Sequence, residues 1–179
     1  DLPAPYLVVD IGGGSTEFVL GDATGPSAAR SVDIGCVRLT ERHLVDDPPT
    51  AEQIAASVAD IEAAVAVAVS TVPIGEAHSL VGLAGSVTTV VALSLGLEEY
   101  DAKRIHHARI SADEVHRVAT WMLASTRAQR AALPVMHPGR VDVIGGGALV
   151  LDTIMRVGGF GAVVASEHDI LDGIAFSLV

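Results

Sequence analysis

Cysteine, aromatic residues and positive charge are all scarce in this chain of 179 residues. The single cysteine, Cys36, rules out an intrachain disulfide framework and fits a reducing, cytoplasmic setting. A lone cysteine of this kind is expected to be a small buried apolar residue. Phe, Trp and Tyr make up 3% of the chain, so its core has to be built from Val, Leu, Ile and Ala. Lys and Arg number 11 against 22 Asp and Glu, a formal net charge of −11. No basic patch stands out, which argues against a nucleic-acid or anionic-membrane binder. Any phosphate site must then rely on backbone amides, metal and a few placed arginines. The seven histidines are scattered. His106 and His107 are adjacent, and on a strand they would face opposite ways, with no carboxylate or cysteine at zinc-like spacing. The uncharged run from Leu80 to Leu97 is 18 residues long, near the length of a membrane span. Its glycines, serines and threonines read instead as a buried strand followed by a buried helix.

Half of the residues are hydrophobic and 18 are glycine. That composition suits an α/β domain with tight helix–sheet packing. Residues 6–11 and 16–21 read as the first two strands, and 22–27 as a turn. A third strand is expected over 29–34, then a short helix over 35–44 and a loop over 46–49. Thr50 and Gln53 make a capping box for a long helix, 51–69, whose apolar stripe is Ile54, Val58, Ile61, Val65 and Val69. A strand over 80–84 and a helix over 86–95 follow, then a polar connection over 96–110. Ser111 and Glu114 cap a helix over 112–124, in which Trp121 is expected to pack. A short helix lies near 128–133. An extended segment over 141–144, a helix over 147–157, a short strand over 162–165 and a last helix over 169–178 complete the pattern. Hairpin strands followed by alternating strands and helices predict a mixed five-stranded sheet with helices on both faces. This is the ribonuclease-H-like layout of actin-type ATPases, here as one domain over 1–179. Because Asp1 stands almost on a core strand, the chain is expected to be a piece of a longer protein.

The stretch that carries chemistry is Asp10-Ile-Gly-Gly-Gly-Ser-Thr-Glu17. It reads as strand, glycine turn, strand. Consecutive glycines permit positive φ and close backbone approach, and successive amides there can cradle an anion. Asp10 and Glu17 supply hard oxygen ligands suited to Mg²⁺ or to the water it carries. Amide donors beside carboxylates form a minimal set for phosphoryl transfer.

With Gly35-Cys-Val-Arg38-Leu-Thr-Glu41-Arg42, Gly82-Leu-Ala-Gly85-Ser86-Val-Thr88-Thr89, Val143-Ile-Gly-Gly-Gly147 and Asp169-Ile-Leu-Asp-Gly173, this stretch resembles the exopolyphosphatase/guanosine pentaphosphatase family. That family belongs to the actin and hexokinase superfamily, in which two ribonuclease-H-like domains enclose an active-site cleft. The resemblance covers the second domain only. It implies an absent N-terminal domain with its own phosphate loop and the catalytic glutamate. One motif departs, because Leu171-Asp172-Gly173 stands where relatives often carry Arg-Glu-Gly.

The resemblance implies Mg²⁺-dependent release of orthophosphate from inorganic polyphosphate by the full-length protein, with Asp10 and Glu17 as metal and water-positioning residues. Guanosine pentaphosphate is the alternative substrate, and a non-catalytic module binding phosphate or guanosine tetraphosphate is a further reading. The isolated chain is expected to be inactive, since half the cleft is absent. Its exposed cleft surface leaves room for a homodimer. Gly12, Gly13, Gly14 and Ser15 are phosphate-binding candidates. Gly85, Ser86 and Thr88 stand at a predicted helix N-terminus, where free amides and the dipole favour an anion; Ser86 serves equally well there as an N-cap. Gly145, Gly146 and Gly147 occupy the superfamily's nucleotide position, or serve close packing. Arg38 meets either a phosphate or a partner carboxylate, Asp33 or Glu41.

Overall fold

A computed structural model describes residues 2–168. Its strands are β1 (Tyr6–Ile11), β2 (Thr16–Asp22), β3 (Gly25–Val32), β4 (Ser79–Leu83), β5 (Arg109–Ser111) and β6 (Ala162–Ala165). Its helices are α1 (Cys36–His43), α2 (Ala51–Val69), α3 (Ala84–Ser94), α4 (Ala102–Ile105), α5 (Ala112–Ala124), α6 (Arg127–Ala131) and α7 (Ile144–Gly158). The strands form one sheet in the order β3-β2-β1-β4-β6-β5. β1, β4 and β6 are parallel, while β2, β3 and β5 run antiparallel to their neighbours. This is the expected mixed ribonuclease-H-like sheet with six strands rather than five.

Three differences from the sequence reading have local causes. The segment 141–144 is not a strand: it follows a 3₁₀ turn, Pro138–Arg140, and runs into α7. A short apolar run fits a buried helix entry as well as a strand. The added strand, β5, holds one buried residue, Ile110, between two exposed ones, too little for a pattern to show. β3 starts at Gly25, four residues early, and takes in Pro26. Pro is tolerated there because β3 is an edge strand, where its missing donor faces no neighbour.

Strand alternation sorts the residues of β1 onto two faces. Leu7, Val9 and Ile11 are buried with Phe18 and Leu20 of β2, Leu80 of β4 and the apolar residues of α1, α2, α3, α5 and α7. Each such side chain withdrawn from water contributes about 1.5–3 kcal/mol. Tyr6, Val8, Val19 and Val81 point the other way and are half-buried. The helix expected over 169–178, with the Asp169–Gly173 motif, lies outside the described residues.

Both predicted capping boxes are present, at Thr50/Gln53 and Ser111/Glu114. The buried stripe of α2 is Ser57, Ile61, Val65 and Ala68. Val69, placed in the stripe by a four-residue step from Val65, is 42% exposed, because at 3.6 residues per turn successive four-residue steps drift off the buried face. Trp121 is 43% exposed rather than packed, and Val118, Met122 and Leu123 fill the core beside it. Buried Arg130 of α6 donates to the carbonyls of Ser125 (2.5 Å) and Val141 (3.0 Å) and to Asp47 Oδ1 (3.0 Å). A buried cation paired in this way holds the loop that carries residues 138–141 in a fixed position.

Candidate functional site: a pocket at the strand ends

The hairpin between β1 and β2 turns through Gly12–Ser15, with the Gly12 N–H donating to the Ser15 carbonyl (3.0 Å). The turn docks on the start of α1. The Gly12 carbonyl accepts from the Cys36 N–H (2.9 Å), and the Gly13 carbonyl accepts from the Val37 (2.9 Å) and Arg38 (3.1 Å) N–H groups. The leading amides of α1 are thereby satisfied by the turn itself. A Cβ on Gly35 would stand 2.5 Å from the Gly13 carbonyl, so this docking requires a bare Cα. With the turn's carbonyls committed to α1, the amides of Gly13, Gly14 and Ser15 donate no hydrogen bond among the described residues.

Facing the turn is the N-terminus of α3. The chain enters this helix through Ala84 with φ of +67°. A non-glycine residue in that region costs roughly 1–2 kcal/mol, a strain found where backbone is shaped for a site. No side chain caps the helix, and its N-cap is Leu83 rather than Ser86. Ser86 is 6% exposed, and its hydroxyl makes no hydrogen bond among the described residues. The capping alternative is therefore not what holds Ser86. Ser86 lines the space beside the helix start, where its hydroxyl is open to an entering group. That space is a pocket of about 260 Å³ walled by Gly12, Gly13, Cys36, Gly85, Ser86 and Arg140.

Sequence reasoning missed Arg140. Its guanidinium lies against Gly85, where a side chain would overlap it, and its Nη1 donates to Thr89 Oγ1 (3.1 Å). Thr89 Oγ1 in turn donates to the Gly85 carbonyl (2.7 Å). A single Arg after Pro138-Gly139 carries no spacing signal, and a left-handed Ala84 none at all. Arg38 stands on the other side of the turn, with its guanidinium beside Gly14. Its pairing with Asp33 is long (3.7 Å) and exposed, and is worth little. Two arginines thus flank the glycine turn of a chain whose net charge is strongly negative.

Asp10 and Glu17 are in-register cross-strand partners on β1 and β2. Both lie on the face of Tyr6 and Val8, and neither lines the pocket. Glu17 accepts from Ser31 Oγ (2.6 Å). Like charges directly opposite on a sheet repel, and a hard cation between or above them would relieve the repulsion.

The remaining candidates separate from the pocket. Gly145, Gly146 and Gly147 are buried in the first turn of α7. A Cβ on Gly146 would lie 2.8 Å from Thr40 Oγ1, and one on Gly147 would overlap Ser86 Oγ. These glycines let α7 approach α1 and α3 closely. Thr88 is buried and hydrogen-bonds Tyr100, whose hydroxyl donates to Glu167 Oε1 (2.7 Å). Burial, helped by Glu167, raises the Tyr100 pKa. His106 and His107 lie at the end of α4, not on a strand, and stack at 3.7 Å. Burial, with His107 and His168 beside it, lowers the His106 pKa. Cys36 is partly exposed rather than buried.

The pocket lies at the carboxyl ends of parallel strands, the place where α/β sheets hold ligands. The chain belongs to the Ppx/GppA phosphatase family, whose model matches residues 3–179. It is 48% identical to exopolyphosphatase 2 of Mycobacterium tuberculosis over 98% of the chain, which corresponds to 56% of that protein. It is 36% identical over 95 residues to the guanosine-5'-triphosphate,3'-diphosphate pyrophosphatase of Photobacterium profundum, covering 52% of the chain and 19% of that protein. The crystal structure of an exopolyphosphatase-like protein superposes with a TM-score of 0.96 at 44% identity, over 98% of this chain and 60% of that one. The chain thus spans little more than half the length of these full-length relatives. Among the described residues, no helix is long and apolar enough to cross a membrane.

Proposed function

We propose that the full-length protein hydrolyses the terminal phosphoanhydride bond of inorganic polyphosphate and releases orthophosphate. The observation that carries this reading is the pocket itself. The free amide of Gly13, the N-terminus of α3, the Ser86 hydroxyl and Arg140 border one space of about 260 Å³, with the free amides of Gly14 and Ser15 following in the same turn. The family membership agrees with it.

In this reading the amides of Gly13 and Gly14 and the Ser86 hydroxyl hold the attacked phosphoryl group. Arg140, fixed by Thr89, and Arg38 meet the charge of the chain entering the pocket. Donors already aligned before the reaction stabilise charge at the transition state without reorganising, and no covalent intermediate is required. Asp10 and Glu17 suit a Mg²⁺ ion by donor type. Among the described residues no three His, Cys, Asp or Glu come together as a metal site, so waters and substrate phosphates would complete the shell, as is usual for this ion. When bound, Mg²⁺ would neutralise phosphate charge and position water. The base that deprotonates the attacking water is assigned to a domain outside this chain, and the isolated chain is therefore inactive.

A second substrate class has its own support. A groove of about 430 Å³ adjoins Arg140, lined largely by apolar groups of Tyr100, Pro134, Val135 and Pro138. Such a wall suits a base and ribose better than a polyanion, which favours guanosine pentaphosphate as an alternative to polyphosphate.

Orthophosphate release from each substrate by the full-length protein tests both readings. Asp10→Asn and Glu17→Gln are each expected to slow release by about a hundredfold or more, the usual cost of removing one preorganised electrostatic group. Unchanged rates in both variants would remove these carboxylates from the reaction.

A further inference from the structure

We propose that Cys36 is a modification site whose thiol, once capped, closes the phosphate pocket. The proposal rests on the reading of that pocket as a phosphate site. Cys36 is partly exposed and forms part of the pocket wall, together with Gly12, Gly13 and Ser86. A Cβ on Gly147 would lie 3.2 Å from Cys36 Cβ and overlap Ser86 Oγ, so the Cys36 and Ser86 side chains start from neighbouring positions against α7. The independent sign that a polar ligand enters here is Ser86, which is 6% exposed and without a hydrogen bond among the described residues.

The backbone of Cys36 is fixed at the pocket wall. Its N–H donates to the Gly12 carbonyl (2.9 Å), and its own carbonyl accepts from Thr40 Oγ1 (2.7 Å). Swinging the residue out of the wall would break the contact that docks the glycine turn. A substituent on sulfur is therefore tethered at the pocket wall, beside Gly12, Gly13 and Ser86.

The chemistry is thiol–disulfide exchange with a low-molecular-weight disulfide such as glutathione disulfide. Cys36 gives up its proton and attacks one sulfur of the reagent. A new sulfur–sulfur bond forms as the old one breaks, and the departing thiolate takes up the proton, so the disulfide is the only oxidant required. A glutathionyl group is larger than phosphate and bears carboxylates, so it excludes an anion by both volume and charge. A reducing thiol reverses the step.

The test uses the 179-residue chain with tripolyphosphate as probe, intact mass to follow modification and calorimetry to follow binding. Tripolyphosphate at ten times its dissociation constant is expected to slow glutathionylation of Cys36 roughly tenfold, because only the free pocket reacts. The glutathionylated chain is expected to lose tripolyphosphate binding and to regain it after dithiothreitol. Two results overturn the proposal: modification at the same rate under saturating tripolyphosphate, or full binding by the modified chain. If the unmodified chain binds tripolyphosphate and Arg140→Ala abolishes that binding, the phosphate site stands even where the thiol inference fails. If the unmodified chain binds none, the site reading falls and the thiol inference falls with it.

Discussion

Arg140 is the charged residue in the wall of the pocket. Its guanidinium is tied to Thr89 and pressed on Gly85, so in the proposed function it meets an anion with little freedom to lose. Arg140→Ala is expected to weaken tripolyphosphate binding by roughly 10- to 100-fold, the worth of one charge-assisted hydrogen bond, as read by calorimetry. An affinity within about twofold of the parent would contradict that placement. A second residue-scale prediction concerns His106. Burial, with His107 and His168 at its side, favours its neutral form in the folded chain, while Glu167 favours the charged one. A lowered folded pKa means that the unfolded chain takes up the proton first. Stability is then held above the ordinary histidine pKa of 6.5 and lost as pH falls through that value and on through the folded pKa. Denaturant midpoints should therefore drop between pH 7 and pH 5, and drop less in His106→Gln. Equal losses in both proteins would contradict the assignment to His106. At this scale the sequence displayed the glycines, Ser86 and the carboxylates, because each carries a recognisable chemistry in a motif. It hid Arg140 and the left-handed Ala84, whose importance comes from distant parts of the chain brought together by folding.

The elements explain why two glycine triplets serve different ends. Gly12–Gly14 form an open turn whose carbonyls dock on α1 while its amides stay free. Gly145–Gly147 are buried in a helix, where a missing Cβ allows α7 to sit against α1 and α3. Gly147→Ala is expected to destabilise the chain by about 1–3 kcal/mol through overpacking, seen as a lower urea midpoint with an unchanged slope. A midpoint equal to that of the parent would mean the helices part at no cost. Long periodic elements were legible in the sequence: the capping boxes placed α2 and α5 to the residue. Short ones were not. Three-residue β5 has no period to read, and the apolar 141–144 run looks like a strand because hydrophobicity alone does not distinguish a buried strand from a helix entry.

On the scale of the molecule, one sheet puts the turn, the start of α3 and the Arg140 loop at the same end of the parallel strands. Such ends are where α/β folds bind ligands. Asp10 and Glu17 stand one step from that pocket, on the opposite sheet face, as a like-charged pair in register. In the proposed function this arrangement holds phosphate and offers carboxylates, with the water-activating base assigned outside the chain. The central claim is that phosphate binds between the Gly12–Ser15 turn and the N-terminus of α3. Titrating tripolyphosphate into ¹⁵N-labelled chain while recording amide chemical shifts tests it most directly. The largest saturable shifts are expected at Gly13, Gly14, Gly85 and Ser86; shifts that leave these four amides unmoved would contradict the account.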